Sequence, residues 1–228
     1  MIKFKPEGVH GRIGYPTTME DIRCLNAAGH ANFGTWHYRS FLKDLLEHYK
    51  ELPTREDARM YNIFGTTRYW TSQSPRYNNY FKKRLQGTIF KHSIHYILEY
   101  KPGGFTSRHV DPEGRISTIT LLEDENLIGG DTIWDRREYV PESLIKENAF
   151  SEQQYIEAAE NDETFVHAPN IFCPVVIPMK AGVTYAFGEK TYHSVSEVKQ
   201  GRRLVLVEWL YYDTDKIKLH QTEKAPAE

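Results

Sequence analysis

The sequence predicts a mainly β fold with flanking α: a double-stranded β-helix, or jelly roll, with N-terminal helices packed on one sheet and a helical insertion. Two observations carry that reading. Apolar residues recur at helical spacing in the first part of the chain, whereas after residue 88 they fall in short stretches rich in β-branched and aromatic residues. With the brief His109–Asp111 segment those stretches number eight, the strand count of a jelly roll. A length of 228 residues suits one domain over 1–228, with helical support over 1–90, the β-helix core over 91–213 and an insertion over 141–170.

The first helix is expected over 18–28. Thr17-Thr-Met-Glu20 has the spacing of a capping box, Met19, Ile22 and Leu25 follow at helical spacing, and Gly29 supplies a stop. From Ser40, the residues Phe41, Leu42, Leu45, Leu46, Tyr49 and Leu52 form one helical stripe that Pro53 ends. Asn79 to Leu85 reads as a shorter third helix. The expected strands are His92–Tyr100, His109–Asp111, Arg115–Leu122, Asp131–Trp134, Pro174–Ile177, Val183–Phe187, His193–Val198 and Arg203–Tyr212, most of them punctuated by Gly or Pro. The polar segment 141–170 interrupts them, with a helix expected from the Ser151-Glu-Gln-Gln154 capping box. Its acidic residues Glu152, Glu157, Glu160, Asp162 and Glu163 make it too polar for a core and suit a lid over a pocket. Gln221 to Glu228 reads as a frayed tail.

Composition removes several function classes. With 29 basic and 31 acidic residues the net charge is −2, which argues against nucleic acid as a partner. Cys24 and Cys173 are the two cysteines; they provide neither a disulfide framework nor a thiolate zinc site, and they fit a reducing cytosol. The sequence predicts no signal peptide and no transmembrane span, hence a cytoplasmic protein with no membrane partner.

His109-Val-Asp111 sets an imidazole and a carboxylate two residues apart on extended chain, so both leave one face and can bind one ion. With ten histidines, chance supplies about 0.4 His-x-Asp pairs, so the motif alone is weak. Its surroundings strengthen it. Tyr100-Lys-Pro-Gly-Gly104 ends a strand before it; Gly129-Gly-Asp-Thr132, Pro178-Met-Lys-Ala-Gly182, Tyr185-Ala-Phe187, His193, Arg203 and Trp209 follow in order. This series over about 93–212 resembles the catalytic half of the iron(II)- and 2-oxoglutarate-dependent dioxygenases, in particular their prolyl 4-hydroxylase-like branch.

The resemblance implies an enzyme with Fe(II) as metal and 2-oxoglutarate as cosubstrate. Two imidazoles and a carboxylate on one side of a ferrous ion leave positions open for reactants, and His109, Asp111 and His193 are assigned to that set. The far carboxylate of 2-oxoglutarate falls to a basic residue on the last strand, for which a guanidinium's planar fork is suited. Arg203 stands at the family's spacing of ten from His193. Strand alternation also separates it, with Val205, Val207 and Trp209, from Arg202, Leu204, Leu206 and Glu208, and a glutamate inside a barrel would be costly. Tyr100 is expected either at the cosubstrate or as a core aromatic, and Thr118 and Thr120, which share a strand face, are candidates for helping the far carboxylate; Leu121 or Leu122 stands where oxygen-sensing members carry a tyrosine. Arg108, Trp134, Arg136 and His167 are candidate substrate contacts, Trp134 with a core role as the alternative.

The implied activity is hydroxylation of a C–H bond in an amino acid, peptidyl proline or small metabolite, with dioxygen consumed and succinate and CO2 released. Asp111 favours hydroxylation over halogenation, since halogenating relatives carry a small residue there. A nucleic-acid demethylase of the same superfamily is the alternative within enzymes, although those enzymes typically carry an Arg-x-Asn-x-x-x-x-Arg pattern that is absent after Arg202. A non-catalytic cupin-like barrel that binds metal or a ligand is the alternative from another class, and it has no use for a second-anion anchor such as Arg203.

Overall fold

The computed structural model describes residues 21–22, 25, 30–57, 63–112, 114–136, 139–145, 154, 157–158, 160–167, 173–189 and 191–212. The capping boxes at Thr17–Glu20 and Ser151–Gln154 lie largely outside them, as does the 221–228 tail. Asp21, Ile22 and Leu25 are helical, and so are Gln154, Glu157, Ala158 and Glu160. No helix among the described residues is long and apolar enough to cross a membrane.

Helix α1 (Arg39–His48) continues into a 3-10 turn at Tyr49–Glu51, and its stripe buries Phe41, Leu42 and Leu45. Helix α2 (Pro75–Leu85) starts four residues earlier than expected because Pro75 occupies its first turn, where a missing N–H costs nothing. Between and before them the first ninety residues are not all helix. β1 (His30–Gly34), β2 (Thr54–Asp57) and β3 (Ile63–Tyr69) join the main sheet. β4 (Phe90–His109), β5 (Arg115–Glu123), β6 (Ile128–Gly129), β7 (Thr132–Arg136), β8 (Tyr139–Pro141), β9 (Phe165–His167), β10 (Cys173–Ile177), β11 (Thr184–Phe187), β12 (Tyr192–Val195), β13 (Val198–Gln200) and β14 (Arg203–Tyr212) follow. The stretch expected as one strand over His193–Val198 is therefore two.

One antiparallel sheet runs β1-β11-β5-β14-β4-β12-β7-β10, with β3 also on β4 and β2 on β3. β4 makes it curl. Its first half pairs with β14, from Tyr100 opposite Arg203 to Phe90 opposite Tyr212, and its last residues pair with β12. The Lys101-Pro-Gly-Gly104 segment does not end a strand as expected; the strand bends there and continues. Gly65 and Gly104 make the bend possible, since a Cβ on Gly104 would lie 2.8 Å from the Gly65 carbonyl oxygen, and the β3–β4 register shifts between Phe64 and Thr66.

The curled sheet has two buried faces. The inner face holds Tyr96, Leu98, Tyr100, Ile119, Leu121, Trp134, Phe187, Val205 and Val207 in one cluster. On the outer face Ile97, Leu122, Leu204 and Leu206 pack under α1 and α2. Burying such side chains is worth about 1.5–3 kcal/mol each, so the helical layer is held mainly by apolar contact.

That outer face also buries Glu208, a position the alternation pattern assigns correctly away from the barrel interior but not to solvent. His37 Nε2 lies 3.2 Å from Glu208 Oε2, Thr118 Oγ1 donates to the same oxygen at 3.4 Å, and His95 stacks on Phe81 with Nδ1 2.8 Å from Thr71 Oγ1. Although burial opposes it, the His37 partner holds the Glu208 carboxyl below the usual range. Burial pushes His95 down to about 4, against the opposing pull of Glu208. Unfolded His95 takes up its proton near pH 6.5 while the folded group stays neutral, so stability falls as pH drops from about 6.5 toward 4, by roughly 3 kcal/mol in all. Glu208 adds to the loss below its unfolded pKa. Denaturant midpoints measured across that range should decline more gently in His95→Asn than in the parent, at some cost in stability at neutral pH. An equal slope would assign the acid sensitivity elsewhere.

Candidate metal centre

His109 ends β4 and His193 lies on β12 directly opposite it, with ring centroids 4.3 Å apart. Asp111 follows two residues past the strand end, in irregular chain rather than on the strand itself. Its Oδ1 is 3.8 Å from His109 Nε2 and its Oδ2 is 3.7 Å from His193 Nε2. One ligand atom from each residue falls within 4.8 Å of the others, and among the described residues this is the group with metal-holding geometry.

Neighbouring groups aim these ligands. Each imidazole donates Nδ1–H to a backbone carbonyl, His109 to Ser107 at 2.9 Å and His193 to Thr191 at 3.0 Å. A carbonyl only accepts, so the proton sits on Nδ1 and the Nε2 lone pair faces the site, the tautomer a metal requires. Burial lowers the His193 pKa, with Asp111 opposing, which favours the neutral ligand form. Ser117 donates to Asp111 Oδ2, and Phe187 stacks on His193 with centroids 4.7 Å apart.

Arg203 is 2% exposed and shares the inner face with Val205 and Val207. Its Nη2 donates to Thr132 Oγ1 at 2.6 Å, while Nη1 is buried without a hydrogen-bond partner. A buried guanidinium with an unmet donor has a hydrogen bond to offer an anion. The Tyr100 ring lies under it at 5.0 Å, its hydroxyl 2.7 Å from Thr106 Oγ1. Gly130 leaves room for the arginine stem, because a Cβ there would sit 3.3 Å from Arg203 Cδ and 2.9 Å from Val198 Cγ2. At a φ of +68°, Gly130→Ala should cost about 1–2 kcal/mol from backbone strain alone. It should also weaken anion binding at Arg203; a variant with parental melting temperature would refute this.

Thr118 and Thr120 are not part of this site. Register pairs them with Glu208 and Leu206, so they face outward, and Thr120 bonds to Thr184 at 2.6 Å. The oxygen beside Arg203 comes instead from Thr132, the last residue of the Gly129-Gly-Asp-Thr motif. Alternation from Trp134 would have found it. Trp134 lies opposite His193 and is 2% exposed, a core aromatic at the edge of the centre. The Arg108 guanidinium lies 3.7 Å over the Tyr192 ring, one residue from His109. Arg136 and His167 are placed by backbone alone, Arg136 opposite Cys173 and His167 opposite Tyr139, and their side chains lie outside the described set. Arg202, expected as a surface charge, instead pairs with Glu99, Glu123 and Glu125 and is partly buried.

No protein-family model and no curated protein matches the chain. Solved structures do. A prolyl-4-hydroxylase from Pseudomonas putida matches with a TM-score of 0.50 and 16% identity over 84% of this chain and 97% of that one. The non-heme alpha ketoglutarate dependent carbocyclase SnoK of nogalamycin biosynthesis matches at 0.54 and 14% over 93% and 95%. The epimerase SnoN of the same biosynthesis matches at 0.54 and 13% over 86% and 84%. The chain thus has the jelly-roll fold of the 2-oxoglutarate- and iron-dependent oxygenases, a prolyl 4-hydroxylase among them.

Proposed function

We propose that the chain is an Fe(II)- and 2-oxoglutarate-dependent oxygenase that hydroxylates a C–H bond of an amino acid, a peptidyl proline or another small metabolite. One observation carries the reading: a His–Asp–His group and a buried guanidinium with an unmet Nη1 open onto the same inner face. His109, Asp111 and His193 are the residues that would hold the iron, which when bound supplies dioxygen activation coupled to 2-oxoglutarate decarboxylation. Arg203 fixes the far carboxylate of 2-oxoglutarate, with Thr132 holding the guanidinium in place. Tyr100, Trp134 and Phe187 line the interior with aromatic surface that excludes water, which strengthens each of these polar contacts. Succinate and CO2 are the expected co-products.

The base of the insertion packs on the inner-face cluster. β8 and β9 pair where it leaves and rejoins the barrel, and Val140 and Leu144 pack into the inner-face cluster. That position supports a lid over the substrate. Hydrogen exchange over 141–170 should slow when substrate binds in the presence of a redox-inert metal and 2-oxoglutarate; unchanged protection would make the insertion a decoration. The reading as a whole is tested by anaerobic titration with Fe(II) and 2-oxoglutarate, followed by a mass-shift screen of amino acids, peptides and metabolites for a gain of one oxygen. Binding without 2-oxoglutarate turnover under air would instead favour a non-catalytic barrel.

A further inference from the structure

The three ligands assigned to the metal are not fixed alike. His109 and His193 face each other across paired strands, and each ring is aimed by its own bond to a backbone carbonyl. Asp111 lies instead in the connection 110–114 between β4 and β5, two strands that do not pair with each other because β14 runs between them. Ser117 and Arg115 reach its carboxylate, Ser117 by donating to Oδ2 and Arg115 with Nη2 3.8 Å from Oδ1. Those contacts aim the side chain, and the backbone that carries it needs a separate hold. Pro112, next in sequence, biases Asp111 toward extended backbone but has no N–H to donate.

Glu189 provides that hold. The Gly114 N–H donates to Glu189 Oε1 at 2.7 Å, the Tyr212 hydroxyl donates to the same oxygen, and the Tyr212 N–H donates to the Gly114 carbonyl at 3.4 Å. These bonds close a ring between the end of β14, the turn at Gly114 and the connection from β11 to β12. Glu189 stands two residues before Thr191, whose carbonyl orients His193, and two after Phe187, which stacks on the His193 ring. The Gly114–Glu189 bond therefore ties the segment that presents Asp111 to the segment that presents His193. The metal-holding group is His109, Asp111 and His193, so Glu189 acts through backbone and not as a ligand. Both side-chain bonds end on one oxygen, which makes the requirement an acceptor rather than a charge.

Resting on the metal assignment in the reading above, we propose that Glu189 is a positioning residue for the metal centre. By accepting the Gly114 N–H it fixes the connection that carries Asp111 against the one that carries His193, and so sets the spacing of two ligands before an ion arrives. A site with its ligands already placed binds its ion without first ordering the chain that bears them.

The test titrates the metal-free full chain with Mn(II), followed by electron paramagnetic resonance. Glu189→Ala should weaken Mn(II) binding by about tenfold or more, the range that an outer partner of a metal ligand commands. Glu189→Gln keeps the accepting oxygen and should restore most of that affinity. Amide exchange at Gly114, read by nuclear magnetic resonance, should speed up in E189A and stay slow in E189Q, a local change that a general loss of stability would not single out. Arg202→Ala, which removes an outer-face ion-pair network, should bind Mn(II) as the parent does. The proposal is overturned if E189A keeps parental affinity, or if E189Q loses as much as E189A, which would assign the effect to charge. It is equally overturned if R202A weakens Mn(II) binding as far as E189A, since affinity would then follow stability. Should E189A fail to fold, Tyr212→Phe takes one bond from the Glu189 oxygen and should weaken Mn(II) binding in the same direction, and parental affinity in that variant overturns the proposal. Failure of the parent to bind Mn(II) would refute the metal assignment itself, a result separate from any of these.

Discussion

His109→Ala, Asp111→Ala and His193→Ala should each lower 2-oxoglutarate decarboxylation by well over a hundredfold while leaving the far-ultraviolet circular dichroism spectrum parental. The floor comes from comparison: removing an outer partner of a metal ligand typically costs about 10–100-fold in affinity or activity, and losing the ligand itself costs more. Ser117→Ala, which takes a hydrogen bond from Asp111 Oδ2, should accordingly fall within that smaller range. The fold survives because its burial lies elsewhere. His109 and Asp111 are half-buried at the end of β4, whereas Leu45, Ile97, Leu204 and Leu206 form the packed layer beneath the helices. Mn(II) binding followed by electron paramagnetic resonance separates loss of metal from loss of later steps. Near-parental decarboxylation in all three variants would dismiss the metal assignment.

The His–Asp–His group is legible because metal-binding chemistry restricts such residues to few types at fixed spacing. His109, Asp111 and His193 needed only that β4 and β12 be neighbours, which the sheet provides by pairing the two histidines directly. β14 was equally plain, and its bounds match expectation to the residue, since ten residues of β-branched and aromatic character admit little else. Six strands were hidden: β1, β2, β3, β6, β8 and β9. β3 carries Thr66 and Arg68 on its inner face, polar groups where a half-buried strand is expected to show apolar ones, so its alternation did not register. Thr118 and Thr120 were assigned to the wrong face because nothing local says which side of a strand faces the barrel; Glu208, opposite Thr118, is tolerated inside the protein because His37 approaches it from the segment between β1 and α1 and Thr118 donates to it. The bend at Gly104 is a long-range matter too, since it depends on Gly65 of another strand.

Arg203→Ala should raise the 2-oxoglutarate requirement by about ten- to a hundredfold or more, the equivalent of a charge-assisted hydrogen bond of roughly 1.5–3 kcal/mol, with metal affinity in the absence of 2-oxoglutarate unchanged. The buried, partnerless Nη1 is the donor whose loss is felt. Burial pulls the Arg203 pKa down from the ordinary arginine range, with Tyr100 opposing, so a bound carboxylate also relieves an electrostatic penalty that the free protein carries. Arg203→Lys should be intermediate, because an ammonium keeps the charge but not the fork. Arg202→Ala is the internal control, and it is not a silent one. Arg202 faces outward to Glu99, Glu123 and Glu125 and donates to the Tyr49 hydroxyl at 3.2 Å. It is partly solvent-exposed, so its removal should lower stability by about 1 kcal/mol, the usual yield of a screened pair network. The 2-oxoglutarate requirement should not move. Adjacent arginines on opposite faces of one strand thus predict opposite phenotypes, one in cosubstrate binding and one in stability. Titration of 2-oxoglutarate against the Mn(II)-loaded variants, beside their denaturant midpoints, reads both; the reverse assignment would put the cosubstrate outside the barrel interior.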